Sequence, residues 1–207
     1  MKSILKNLIF ILLLFVFPFQ SFAQYEKYLE KDPEPTTSRE AGAALSVIET
    51  GSGIGGFYYL PVKGFMHVGI TGTAFMLRDK SQIDIYDPYT GYPITLGKKN
   101  NAYLIDMMLT LKKRLFPREI DDTLRPFLAV GVGAVYGMNF PENKNIKDEF
   151  SLAATGAAAA GVDVALNSGI MIGLRLQYRY MKFGRIIGER QDHSTVDVRI
   201  EIGKMFN

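Results

Sequence analysis

Between position 41 and its C-terminus the chain alternates apolar and polar residues with period two in run after run. The last run is the cleanest. Over 195–206, Val196, Val198, Ile200 and Ile202 hold one parity while Asp197, Arg199 and Glu201 hold the other. Such alternation puts aliphatics on one face of a strand and charges on the opposite face. The run at 170–181 sets Ile170, Ile172, Leu174, Leu176, Tyr178 and Tyr180 against Arg175, Gln177 and Arg179. The run at 102–116 sets Tyr103, Ile105, Met107, Leu109 and Leu111 against Asp106, Met108, Thr110, Lys112 and Arg114. Three more runs, at 65–77, 126–138 and 151–166, bring the strands to six. All exceed the about 10 residues that a tilted strand needs to cross a bilayer, whereas strands of water-soluble domains are nearer 5–6.

A closed barrel with both termini on one side needs an even number of strands. Residues 41–62 are therefore expected to supply two more, 43–49 and 54–60, joined by Thr50-Gly51-Ser52-Gly53, whose glycines tolerate positive φ. A single bent strand there would leave the count odd. Short connectors at 61–64, 117–124 and 167–169 alternate with longer ones at 78–101, 139–150 and 182–193. In outer-membrane barrels the short turns are periplasmic and the long loops extracellular. The longest connector contains its own hairpin: 82–86, a turn over Asp87-Pro88-Tyr89-Thr90-Gly91, then 92–96. The pattern predicts an all-β, closed antiparallel transmembrane β-barrel of eight strands.

Two rivals read the same pattern differently. A soluble β-sandwich or lipocalin-like barrel would bury the aliphatic parity instead of exposing it to lipid. Strand length and the aromatics near strand ends (Tyr58, Tyr59, Phe65, Tyr103, Phe116, Tyr178, Tyr180, Phe206) favour the membrane form, where aromatic girdles mark the interfaces. An Ala-rich helix over 152–165 is the local rival, but Gly156 and Gly161 would each cost it about 1 kcal/mol.

The first 23 residues read as a secretory signal. Lys2 and Lys6 precede an apolar run at 8–17, Pro18 ends it, and Ser21-Phe22-Ala23 offers a cleavage site before Gln24. The run is too short for a helical membrane anchor, which needs about 20 residues. Residues 24–40 are polar, with Pro33, Pro35 and Thr36-Thr37-Ser38, and read as a flexible periplasmic leader. The expected division is thus signal 1–23, leader 24–40 and barrel 41–207. The head holds two of the 24 Lys and Arg and none of the 21 Asp and Glu, so the remainder carries 22 cations against 21 anions. That balance argues against nucleic acid as a partner. With no cysteine there are no disulfides, no thiolate metal site and no lipidated Cys.

The candidate chemistry lies on the inward parity: Asp106, Lys112, Arg114, Asp163, Arg175, Arg179, Asp197, Arg199 and Glu201. An eight-stranded barrel is only wide enough for side chains to fill. Nearly balanced charges in that space are expected to interlock as an ion-paired plug; a selective path would want one sign to dominate. Of the two histidines, His67 falls on the inward parity. His193-Ser194, near Glu189 and Asp192, raises a nucleophile–base arrangement, but neighbours on one strand point to opposite faces. The glycine run at 51–56 has no following helix and fails as a phosphate loop, and no cofactor or metal motif stands out. Ile83, Ile85, Tyr86, Tyr89 and Tyr92 give the long connector a candidate interaction surface, since tyrosine offers contact area at low entropic cost.

The signal, the alternating strands and the ending Glu201-Ile202-Gly203-Lys204-Met205-Phe206 resemble small outer-membrane β-barrels of the OmpA/OmpX type, the outer membrane protein beta-barrel domain family. Gly53-Ile54-Gly55-Gly56-Phe57, the Tyr86-to-Gly91 loop and Arg114-Leu115-Phe116 are similar to uncharacterised members of that group. Asn207 after the terminal aromatic departs from its usual assembly signal. The resemblance implies residence in the outer membrane of a diderm bacterium, lipid as the surrounding partner, and the assembly machinery as a partner through the strand ending at Phe206. Its motifs specify architecture and not an activity; the expected role is that of a non-enzymatic structural or surface-interaction protein, with an extracellular or envelope protein as partner. A narrow channel for small solutes and a lipid-modifying enzyme are the alternatives.

Overall fold

A computed structural model describes residues 37–77, 83–96, 100–120, 122–141, 147–166, 168–188 and 190–206. The expected signal at 1–23 and most of the expected leader at 24–40 lie outside these, as do Glu189 and Asn207. Eleven strands follow one another: β1 (Arg39–Ile48), β2 (Gly51–Val62), β3 (Met66–Leu77), β4 (Ile83–Tyr86), β5 (Pro93–Leu96), β6 (Asn100–Arg114), β7 (Leu124–Pro141), β8 (Glu149–Ala165), β9 (Ile170–Ile187), β10 (Arg190–Asp192) and β11 (Thr195–Phe206). Eight of them form an antiparallel meander. It closes because β1 pairs with both β2 and β11, with Arg39 opposite Phe206 and Ile48 opposite Asp197, and β8 pairs with β9. Closure leaves no unpaired edge, the one way a sheet can satisfy its backbone in hydrocarbon.

Which parity faces out follows from side-chain exposure. Leu45, Val47, Ile54, Ile70, Met107, Leu109, Val130, Val132, Ile172, Leu174, Val198 and Ile200 are exposed, while every charged residue of the opposite parity named above is buried. The aliphatic side is the outside. In water that surface would be a very large apolar patch; in lipid it is the solvated face. Aromatic residues gather at both ends of it. At the end holding the termini, Tyr58 and Phe206 lie 6.4 Å apart. At the other end Tyr103, Phe140, Phe150 and Tyr136 form a chain of ring contacts.

Several boundaries differ from the sequence reading. The expected turn at 50–53 is instead Glu49-Thr50, and the glycines belong to β2. They are there for close approach and not for turning: a Cβ on Gly51 would stand 2.0 Å from the Met76 carbonyl oxygen. β1 starts at Arg39, so Glu40 is inside the barrel and not in the leader. The connectors expected at 139–150 and 182–193 shrink, since β7 runs to Pro141, β8 starts at Glu149 and β9 continues to Ile187 before β10 folds back on it. β9 persists because its inward parity turns apolar, with Met181, Phe183 and Ile187 filling the mouth of the barrel. Tyr59, assigned to the aromatic girdle from its position, points inward and is fully buried. The Ala-rich segment at 152–165 is strand, paired on both sides.

Candidate functional site

The lumen is filled in three tiers. At the end carrying the termini, Phe57, Tyr59 and Met171 pack together with Met205 against them. At the opposite end Ile48, Phe75, Leu77, Ala102, Leu104, Val135, Met181, Phe183 and Ile187 form a larger apolar cluster. The charged residues occupy the levels between and around these two. They sit there because β1, β3, β6, β8, β9 and β11 all present a polar inward parity over the same stretch.

Lys112 on β6 is the first hub. Its ammonium lies 2.9 Å from Glu40 on β1 and is ion-paired with Asp163 on β8. It also faces the rings of Tyr59 and Phe127, at 5.2 and 4.7 Å from their centroids. Cation–π attraction is stronger for a desolvated ammonium than for an exposed one. His67 Nε2 is 3.8 Å from the Glu40 carboxylate and 3.3 Å from the Ser38 carbonyl. Arg175 on β9 makes the second hub, donating to the Tyr59 hydroxyl at 2.9 Å and to Glu201 at 3.2 Å. Glu201 in turn accepts from Arg199 Nε at 2.9 Å, and Arg199 reaches across the lumen to the Thr73 hydroxyl at 2.7 Å.

The third hub is Arg179. It donates to Asp197 at 2.8 Å, pairs with Asp106, and lies 5.0 Å from the centre of the Phe75 ring. Gln177 donates to the same Asp197 oxygen at 2.5 Å. Arg114 points out of the network toward Asp122 in the turn before β7, and Asp122 also holds Arg125 at 2.7 Å. Partial burial alone would raise the Asp122 pKa, but hydrogen bonds from Arg114 and Arg125 outweigh it and keep the carboxyl below its usual value. All nine inward charges named from the sequence are buried and eight of them join these three hubs; Arg114 stands apart. Glu40 is the member that the sequence reading left out, and with it the buried cations and anions among the described residues number five each. Its parity with Ser46 was the available signal, masked by its place after a polar leader. Asp163 Oδ1, Asp197 Oδ1 and Arg199 Nη2 make no hydrogen bond to protein. Ordered water commonly meets buried atoms of this kind.

At the far rim β9, β10 and the start of β11 form a small cover. His193 Nε2 lies 3.1 Å from the Ile187 carbonyl and 3.2 Å from that of Arg190, so this nitrogen is the donor. Its ring meets Phe183 edge-on at 5.6 Å. Burial, with help from Arg190, lowers the His193 pKa. Ser194 does not meet it: its hydroxyl accepts from the Met181 amide at 3.1 Å, and its own amide donates to Asp192. Among the described residues no nucleophile–base pair is assembled there. Among the described residues there is also no His, Asp and Glu group able to hold a metal.

The other candidate, β4 with β5, forms a two-stranded sheet separate from the barrel sheet. Its tip is tied down locally. Asp87 accepts from the Tyr89 amide at 2.9 Å and the Thr90 hydroxyl at 2.7 Å, which lowers its pKa, and Gly91 closes the turn at φ 69°. Tyr86, Tyr89 and Tyr92 are 67%, 96% and 74% exposed on this fixed turn. Ile83 and Ile85 lie on β4 opposite Leu96 and Ile94 of β5.

No protein-family model and no curated protein sequence matches the chain significantly. Solved structures do. Neisserial surface protein A superposes with a TM-score of 0.55 at 11% identity, over 82% of this chain and 96% of that one. The N-terminal β-barrel domain of Pseudomonas aeruginosa OprF gives 0.55 at 11%, over 84% and 100%. The outer membrane protein OprG of the same organism gives 0.54 at 12%, over 84% and 98%. At such identities the likeness is one of fold, and it agrees with the strand count, the closure and the apolar exterior. The chain has the fold of the small eight-stranded outer-membrane β-barrels.

Proposed function

We propose that this protein is a non-conducting, non-enzymatic barrel of the outer membrane that acts as a structural and surface-interaction element. The observation that carries the reading is the filled lumen: five cations and five anions, mostly cross-linked and flanked by two apolar clusters. A solute path needs a continuous polar bore with sites weak enough to leave. A narrow channel is therefore the less favoured reading, and a lipid-modifying enzyme has no paired nucleophile and base in the described rim. Residence in the outer membrane, cleavage after Ala23 and recognition of the final strand by the assembly machinery belong to the same proposal. They are supported by the apolar exterior and by the sequence of the head.

With the lumen closed, partner contact falls to the outer surface, and the tyrosine-tipped hairpin supplies it. Its locked turn presents three exposed aromatic rings with little entropy left to lose on binding. The partner class is an extracellular or envelope protein. The test replaces residues 81–97 with a short glycine-rich turn. The variant is expected to keep the boiling-dependent gel shift of a folded barrel and to lose surface crosslinks made by the parent. Crosslinks surviving unchanged would place the interaction elsewhere.

A further inference from the structure

The lipid-facing side of β11, β1, β2 and β3 carries a trough with charge at one end. The register sets Ala43, Gly56 and Gly72 side by side across three strands. Farther along, Leu45, Val47, Ile54 and Met76 bound a hollow of about 350 Å³ floored in part by Ser52 and Ala74. The smallness at Gly72 is not imposed from within: a Cβ there would meet nothing closer than 3.6 Å. At the end of the barrel that holds both termini, the rows below the trough are Lys204–Ala41–Tyr58 and Phe206–Arg39. Arg39 and Lys204 are exposed and have no carboxylate partner among the described residues. Tyr58 and Phe206 stand beside them in ring contact.

The dimensions fit one leaflet. From Ala41 to Val47 the strand rises about 20 Å. Tilted by about 40°, that is about 15 Å along the membrane normal, half of a hydrocarbon core of about 30 Å. A second small-residue stripe, Ala154, Gly156, Ala158 and Ala160 on β8, ends at Val162 and Val164 with no cation. Among the described residues, small residues, a hollow and two neighbouring cations come together on the β1–β3 side.

We propose that this face seats one anionic phospholipid of the periplasmic leaflet. Arg39 and Lys204 take its phosphate, Tyr58 and Phe206 flank the headgroup level, and an acyl chain lies along the trough into the hollow. The assignment rests on the outer-membrane reading above. A second copy of the chain is the poorer occupant, because a two-fold axis along the membrane normal would bring the same two cations to the same depth on both partners.

Native mass spectrometry of the detergent-solubilised full-length barrel, with phosphatidylglycerol and phosphatidylcholine as probes, tests the seat. One phosphatidylglycerol per barrel should be retained in preference to phosphatidylcholine. Arg39→Gln with Lys204→Gln should cut that retention roughly twenty-fivefold, about fivefold per cation. Gly72→Leu should weaken it with both cations intact, while Ala158→Leu on β8 should change nothing. Equal retention of the two lipids, indifference to the charge variant, or a dimer mass in place of lipid adducts would overturn the assignment. Should Gly72→Leu fail the boiling shift, the charge variant decides alone. A chain recovered without detergent would overturn the outer-membrane reading itself, whereas a heat-modifiable barrel lacking lipid preference overturns only the seat.

Discussion

Lys112 Nζ lies 2.9 Å from the Glu40 carboxylate, linking β6 to the first residues of β1 across 72 positions of chain. Both side chains are almost fully buried, so the contact fastens the N-terminal strand to the far wall through the lumen. The ammonium has a second anionic partner in Asp163, whereas among the described residues Glu40 has one close cation, Lys112, with His67 and Arg125 at longer range.

This asymmetry makes a prediction. Lys112→Met strands two carboxylates and should cost about 3–5 kcal/mol of stability, the range for breaking a buried pair. Glu40→Gln leaves Lys112 paired with Asp163 and should cost clearly less. Urea unfolding in detergent micelles, read by the gel shift of the folded barrel, compares them. Equal losses would mean that Glu40 matters as much as the hub.

The lipid face makes another. Ile172, Leu109 and Ile200 point outward, and arginine at the mid-depth of such a face costs about 2–4 kcal/mol. Each substitution to Arg should lower the yield of folded barrel in bilayers, while Tyr89→Arg at the hairpin tip should not. Thr110 and Gln177 are poor neutral comparisons, being engaged with Thr71 and Asp197 inside the lumen. Full tolerance of Ile172→Arg would mean that this parity does not meet hydrocarbon.

The rim has a pH dependence with a definite sign. His193 has a folded pKa below the ordinary 6.5, because burial and the Arg190 charge disfavour its protonation and outweigh the opposing hydrogen bonds to the Ile187 and Arg190 carbonyls and the pull of Asp192. The unfolded chain therefore binds the proton first as pH falls. The stability that His193 lends to the β9–β10 cover is complete above about pH 6.5 and declines below it. Trypsin cleavage after Arg185 or Arg190 should accelerate between pH 7 and about pH 5.5, after correction for the protease's own profile. His193→Gln should remove that acceleration. Acceleration persisting in the variant would assign it to another group.

Much of the fold was legible because the period-two signal is long and both faces are chemically distinct. Asp197, Arg199 and Glu201 between four aliphatics leave no doubt about parity, and the six strands after 65 follow. Legibility failed where local chemistry has two meanings. Gly51 and Gly53 look like a turn, but serve close strand packing beside Met76 and Phe75. Tyr59 looks like a girdle residue, yet its hydroxyl is held by Arg175 from a strand 116 positions away. Phe183 and Ile187 look like loop residues after a long strand. Only the three-dimensional mouth, where they meet Leu104 and Val135, gives them a reason to be apolar.

The candidate site was legible as composition and not as connectivity. Nine inward charges could be named, but which cation serves which anion depends on the register of strands far apart in sequence. Arg199 with Thr73 spans 126 positions, and no local pattern foretells it.

The central claim is that the lumen is closed. Single-channel recording of the purified barrel in a planar bilayer, in symmetric potassium chloride, tests it most directly. The ion-paired interior between the Tyr59 and Phe183 clusters predicts a silent baseline at protein densities where folding is verified by the boiling shift. Reproducible, voltage-stable conductance steps from the folded barrel would contradict it.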